Sequence, residues 1–164
     1  MNGSIRVQSD SGKGSTFTVD IELERDVDAA SVVPPEGMKP SALRLLVVDG
    51  DEESRRHFAA IAGHFGFTVD QASSGEQALE MAGNGHDVVF IHCRLPGIDG
   101  LETAKKLGCA KKSHLAMMGS FREWNTIDRE ARCAGISHFV TTPLFPSALL
   151  KAVAEALGKA ASIA

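Results

Sequence analysis

The chain has 164 residues, enough for one domain of ordinary size with a tail and for a core of its own. An apolar content of 43% against 23% charged fits a globular protein, and a formal net charge of -4 argues against broad nucleic-acid binding, which needs a basic stripe. No apolar run approaches membrane-spanning length and no charged-then-apolar leader opens the chain, while Cys93, Cys109 and Cys133 are too scattered for a zinc site or a disulfide framework, as in a reduced cytoplasmic protein.

Residues 1–24 hold two strand-like pieces, Ser4–Gln8 and Thr16–Leu23. In the second, Phe17, Val19, Ile21 and Leu23 alternate with polar residues, as on a half-covered strand, and Asp10–Ser15 between the two is turn material. Two strands alone are marginal in water, so this piece is expected to be the edge of something larger. Residues 25–42 carry three prolines and no sustained period, and read as a linker.

From Leu43 onward, strand and helix patterns alternate. Leu43–Val48 is an apolar run with one arginine, as in a strand covered on both faces. Phe58, Ile61, Ala62 and Phe65 then recur at helical spacing, with Asp51 placed to cap that helix and Gly66 to end it. Further strands are predicted at 67–71, 87–92, 114–118 and 136–140. Helices are predicted near 75–82, 99–107, 124–134 and 146–158, the last with Leu149, Leu150, Val153 and Leu157 on one face. Five such repeats predict an α/β, flavodoxin-like domain over 43–158: a five-stranded parallel sheet with helices on both faces, beside an N-terminal two-strand remnant and ahead of a tail at 159–164. In that architecture a site lies at the carboxyl ends of the strands, where Asp49, His92, Ser120 and Thr142 all fall.

Several landmarks run through this stretch in order: Val47-Val48-Asp49, Leu95-Pro96-Gly97-Ile98-Asp99-Gly100, Ser120, Ala134-Gly135 and Pro143. On them, residues 43–158 resemble the receiver (CheY-like) domains of bacterial two-component response regulators. The resemblance implies a phosphorylation site in which a pair of acids and an acceptor aspartate hold Mg²⁺, while a Ser/Thr hydroxyl and a lysine contact the phosphoryl group. Asp49 matches the first acid, but Gly50 stands where the second belongs, since Asp51 comes one residue too late. His92 stands at the acceptor position and Thr142 at the lysine position; Ser120 keeps the hydroxyl, and Phe139 falls at the aromatic switch position. A single acid beside an imidazole is a poor site for a hard cation, so no cofactor is expected, Mg²⁺ included. Three losses at separate points of one site imply a pseudo-receiver.

The first segment has a resemblance of its own. Gly3–Val19, ending in Gly14-Ser15-Thr16-Phe17, is similar to the last strands of a histidine-kinase ATP-binding domain. The elements of that domain that bind ATP are absent, so no catalysis is expected of this chain. Gly12-Lys13-Gly14-Ser15-Thr16 lacks the Walker spacing and precedes a strand, not a helix. Together the two resemblances imply a piece of a hybrid sensor histidine kinase, cut inside the kinase domain and continuing into its receiver, in a parent that is itself membrane-anchored or cytoplasmic.

His92 admits two readings: an ion pair with Asp49 that locks one conformation, or, favoured, a filler of a disused pocket. A metal site from His92 and Cys93 is disfavoured because neighbouring strand residues point to opposite faces. Cys93 is expected in the core and His57, His64, His86, His114 and His138 in solvated or structural places. Lys105, Lys106, Lys111 and Lys112 form a basic cluster, read as a solvated face. Phe121, Trp124 and Phe139 belong to the stretch at 121–158 through which receivers signal, and an exposed Trp124 would mark a contact surface. The function expected is a regulatory and protein-interaction module acting on the kinase core of the same parent, another receiver, a phosphotransfer protein or a second copy of the chain. Binding of a small anionic ligand such as a cyclic dinucleotide, and phospho-acceptance through a non-standard residue, are the alternatives.

Overall fold

The computed structural model describes residues 3–22, 32–110, 113–136 and 138–158, and the chain divides into two compact units, Met1–Ser31 and Val32–Ala164. The first is an antiparallel hairpin of β1 (Gly3–Asp10) and β2 (Gly14–Ile21), in register from Gly3 opposite Ile21 to Asp10 opposite Gly14. Its turn closes with Lys13 N–H donating to the Asp10 carbonyl, and Gly12 and Gly14 both take positive φ. Side-chain alternation puts Ile5, Val7, Phe17, Val19 and Ile21 on one face, each between 54% and 74% exposed. Leu23 lies outside the described residues, as do 25–31 and 159–164.

In the second unit the parallel strands β3 (Arg44–Val48), β4 (Thr68–Ala72), β5 (Val88–His92), β6 (His114–Gly119) and β7 (His138–Thr141) form a sheet of order β4-β3-β5-β6-β7. The helices are α1 (Glu52–His64), α2 (Gly75–Glu80, prolonged by a 3₁₀ turn Met81–Gly83), α3 (Gly100–Ala110), α4 (Phe121–Cys133) and α5 (Pro146–Ala156). This is the α/β, flavodoxin-like arrangement expected from the sequence. Among the described residues no helix is long and apolar enough to cross a membrane.

Strand alternation splits the core in two. Leu45, Val47, Phe90 and Met118 pack with Phe58 of α1 and Leu149 and Val153 of α5. On the opposite face Leu46, Val48, Ile91 and Met117 meet Leu107 of α3 and Trp124 of α4. The sheet is thus apolar on both faces, which is why its central strands read as continuous hydrophobic runs rather than alternating ones.

Two boundaries differ from the sequence reading. The expected linker over 25–42 does not extend so far: Met38 is buried in the α1/α5 core and Pro40–Ala42 forms a 3₁₀ turn, so the second unit begins near Val32. A methionine between prolines carries no period, and only packing identifies it as core. Helix α4 starts at Phe121 rather than 124, because Ser120 and Glu123 form a complete capping box at its first turn.

Away from the strand carboxyl ends, buried His86 holds Asp70 through Nε2 at 2.8 Å, and the Arg44 guanidinium reaches the same carboxylate oxygen at 2.8 Å. The hydrogen bond from His86 comes first among the causes that keep Asp70 below its ordinary carboxylate range.

Candidate functional site

Asp49 follows β3 and is held by three backbone-directed contacts. Its N–H donates to the Ala72 carbonyl (3.1 Å), its Oδ1 accepts from Asp51 N–H (2.9 Å), and its carbonyl accepts from Arg55 Nη1 (2.7 Å). The residue is only 5% exposed. Asp51 caps α1, its carboxylate accepting Ser54 N–H at 2.7 Å, and that bond is the first cause of its lowered pKa. Its carboxylate is therefore committed to the helix. At Gly50 an added Cβ would come 2.9 Å from Pro96 Cδ, so the loop after β5 closes over a position that has no room for a side chain.

His92 ends β5 with its ring folded back over its own loop. Nδ1 lies 3.1 Å from the Arg94 N–H and 3.0 Å from the Arg94 carbonyl, so it accepts from the first or donates to the second according to tautomer. Among the described residues no hydrogen bond or ion pair joins His92 to Asp49. In place of the locking ion pair considered from the sequence there is a local hydrogen bond between Nδ1 and the Arg94 backbone. Gly100 permits this loop: a Cβ there would meet the His92 carbonyl oxygen at 2.0 Å.

Ser120, after β6, is also committed. Its N–H and its hydroxyl both donate to Glu123 Oε2, at 2.7 and 2.8 Å, and Arg94 Nε pairs with Glu123 Oε1 at 2.6 Å. The Ser120 N–H, then its hydroxyl, hold Glu123 below the usual carboxylate range, with Arg94 and His92 adding smaller electrostatic contributions. The Ser120 hydroxyl is thus already engaged by a carboxylate of the same chain. Neither Glu123 nor Arg94 figures among the residues expected from the sequence, although the Ser120-x-x-Glu123 spacing was a readable sign of the first. Cys93 is half-buried, and burial, helped by the Glu123 charge, pushes its thiol up to about 11. It is no nucleophile at neutral pH.

Thr142, after β7, is half-buried and donates its N–H to the Gly119 carbonyl at 2.9 Å, with a cis peptide to Pro143. Between it and α1 lies a cavity of about 320 Å³, reached by Asp49, Glu53 and Thr142 and walled by Phe58, Met118 and Leu144. His57 Nε2, 3.1 Å from the Leu144 carbonyl, ties α1 to the loop entering α5 at its rim.

Donor by donor, the pocket does not fit Mg²⁺, which asks for several oxygen ligands in octahedral array. Asp49 offers one free oxygen, Gly50 none, Asp51 is spent on the cap, and His92 presents a ring nitrogen held by its own loop.

Trp124 is 7% exposed and stacks on Phe139 with ring centroids 4.6 Å apart and planes at 18°. An exposed Trp124 would have marked a contact surface; it is instead buried, packed into the α3/α4 core. Phe121, one residue into the same helix, is 67% exposed. In the basic cluster, Lys105 pairs with Glu130 and Lys106 with Glu102, so neither is a bare cation; Lys111 and Lys112 lie outside the described residues.

Comparison with known proteins agrees with this geometry. The profile of the response regulator receiver domain matches residues 45–154. The virulence sensor protein BvgS of Bordetella bronchiseptica is 30% identical over 177 aligned residues, covering 98% of this chain and 14% of that protein. The aerobic respiration control sensor protein ArcB of Escherichia coli K12 is 35% identical over 111 residues, 65% of this chain and 14% of the relative. The chain thus spans about 14% of the length of these curated relatives. Among solved structures, chemotaxis protein CheY4 of Vibrio cholerae gives a TM-score of 0.64 at 22% identity, covering 70% of this chain and 98% of that one. A two-component response regulator from Clostridium difficile gives 0.64 at 23%, covering 71% and 96%. At these identities the structural likeness shows the fold. The strand-end site, the sheet order and the matched profile carry one conclusion: the chain belongs to the response regulator receiver domain family.

Proposed function

We propose that the chain is a receiver-like regulatory module of a hybrid sensor histidine kinase, and that it is not phosphorylated at the family's acceptor position. The observation that carries this reading is His92, which offers no carboxylate for acyl-phosphate chemistry and whose Nδ1 is engaged by the Arg94 backbone. The crowding of Gly50 by Pro96 and the Thr142 at the lysine position support it. Incubation with acetyl phosphate or a phosphorylated kinase, read by intact mass, tests it. No added mass is expected; a stoichiometric phosphate adduct overturns it and favours a non-standard acceptor.

Kinase parentage is supported by the similarity to BvgS, which runs through the hairpin as well as the receiver domain, and by the sensor-protein names of the relatives. The hairpin's uncovered apolar face fits the edge of a larger sheet, as the end of an ATP-binding domain would be. In this reading the domain works in the cytoplasm through its surfaces, above all α4, β7 and α5 with the exposed Phe121, docking on the kinase core, another receiver or a phosphotransfer protein. Deleting residues 43–158 from the parent is expected to change its phosphotransfer output, and an unchanged output counts against a regulatory role. The anionic-ligand alternative gains no support from Lys105 and Lys106, both already paired with acids.

A further inference from the structure

The cavity between α1 and the β7–α5 loop has an unbalanced charge. Asp49 is 5% exposed and lines it; Oδ1 takes the Asp51 N–H, and Oδ2 has no donor among the described residues yet is not sealed from solvent. Glu53 lines the same cavity, and neither carboxylate has an ion-pair partner among the described residues. Arg55, the nearby cation, spends its guanidinium on the Asp49 backbone carbonyl rather than the carboxylate. Burying an anion without a counter-charge is costly, so the site favours any cation that can reach it. A metal is a poor solution, because among the described residues no group of three or more His, Cys, Asp or Glu side chains gathers here to hold one. An organic cation is a good one: it needs two acceptors, and its stem can lie on Phe58, Met118, Pro143 and Leu144, which leave the walls mostly apolar. The volume of about 320 Å³ stands at the small end of ligand sites.

We propose that this cavity binds a small organic cation, a primary ammonium or guanidinium on a short apolar stem, with its head between Asp49 and Glu53. The inference rests on the reading of the site as one that has lost its lysine and its metal, since Thr142 in place of a longer cationic side chain leaves the space open. The domain would then respond to an amine or guanidine compound.

The test titrates the full chain with n-butylamine and n-butylguanidine, against n-butanol and butyrate at equal ionic strength, following the melting temperature and the Met118 methyl resonance. Ligand binding to the folded state raises the melting temperature by mass action. Both cations are expected to raise it and to shift Met118, and the alcohol and the acid to do neither. Asp49→Asn should weaken binding about tenfold, the size of a lost charge-assisted contact, and the exposed Glu53→Gln by a smaller factor while folding normally. Thr142→Lys should abolish binding by placing a cation inside. An equal response to n-butanol, no response to either cation, or full binding by folded Asp49→Asn and Glu53→Gln overturns the proposal. Acetyl phosphate with magnesium chloride is run in parallel: a phosphate adduct by intact mass would overturn the unphosphorylated-receiver reading along with this inference, whereas silence from every probe overturns this inference alone.

Discussion

In the proposed reading, the acceptor site differs from the family's in its surroundings as well as in its nucleophile. His92→Asp would restore a carboxylate but leave Thr142 in place and no second acid at Gly50, where a side chain meets Pro96. His92→Asp alone is therefore expected to take no phosphate from acetyl phosphate by intact mass. Gly50→Asp should cost about 1–3 kcal/mol of stability by overpacking, measured by denaturant unfolding. That Asp49, His92, Ser120 and Thr142 fall at the strand ends was legible in the sequence, because Pro96, Gly100 and Pro143 mark those ends in order. The direction of the His92 ring was not, since it depends on a loop backbone that only the fold places. A pH dependence follows from Asp70, whose carboxylate is held below its ordinary 3.8 by His86. A lowered folded-state pKa adds stability that is fully present above the unfolded value and is lost as pH falls through the folded one. Acidification below 3.8 should thus destabilise the wild type more than Asp70→Asn, so that their melting temperatures, apart at neutral pH, approach each other only as pH falls below 3.8.

Among the elements, α4 is held at both ends of its first two turns, by the Ser120–Glu123 box and by the Trp124–Phe139 stack. Ser120→Ala should cost about 0.5–2 kcal/mol as a lost cap. Since Trp124 is the single tryptophan, its emission should report the fraying of this helix, with a red shift in Ser120→Ala at temperatures below the main transition. An emission unchanged from the wild type up to the global melt would count against α4 as the labile element. The capping box was written in the sequence as Ser120-x-x-Glu123, yet helix periodicity alone places the start at 124, because Phe121 faces solvent and breaks the apolar pattern. The cavity was not legible at all. Its walls come from α1, the end of β6 and the β7–α5 loop, segments joined only by the sheet order.

For the whole molecule, the position of Met38 decides where the receiver unit begins. A chain starting at Val32 keeps that side chain in the core, whereas one starting at Leu43, where the strand pattern begins, removes it. The shorter chain should be less stable by about 1.5–3 kcal/mol, the value of a buried methionine, while the longer should match the full chain in urea unfolding. The hairpin has a separate consequence for solution work on the full chain. Five large apolar side chains stand exposed on one face of a two-stranded ribbon whose outer edges have no further strand among the described residues, the arrangement that templates strand addition between molecules. Dimers or aggregates of the full chain would then report ribbon-to-ribbon stacking rather than receiver pairing. A homodimer is to be credited to the receiver surface when it survives removal of residues 1–31.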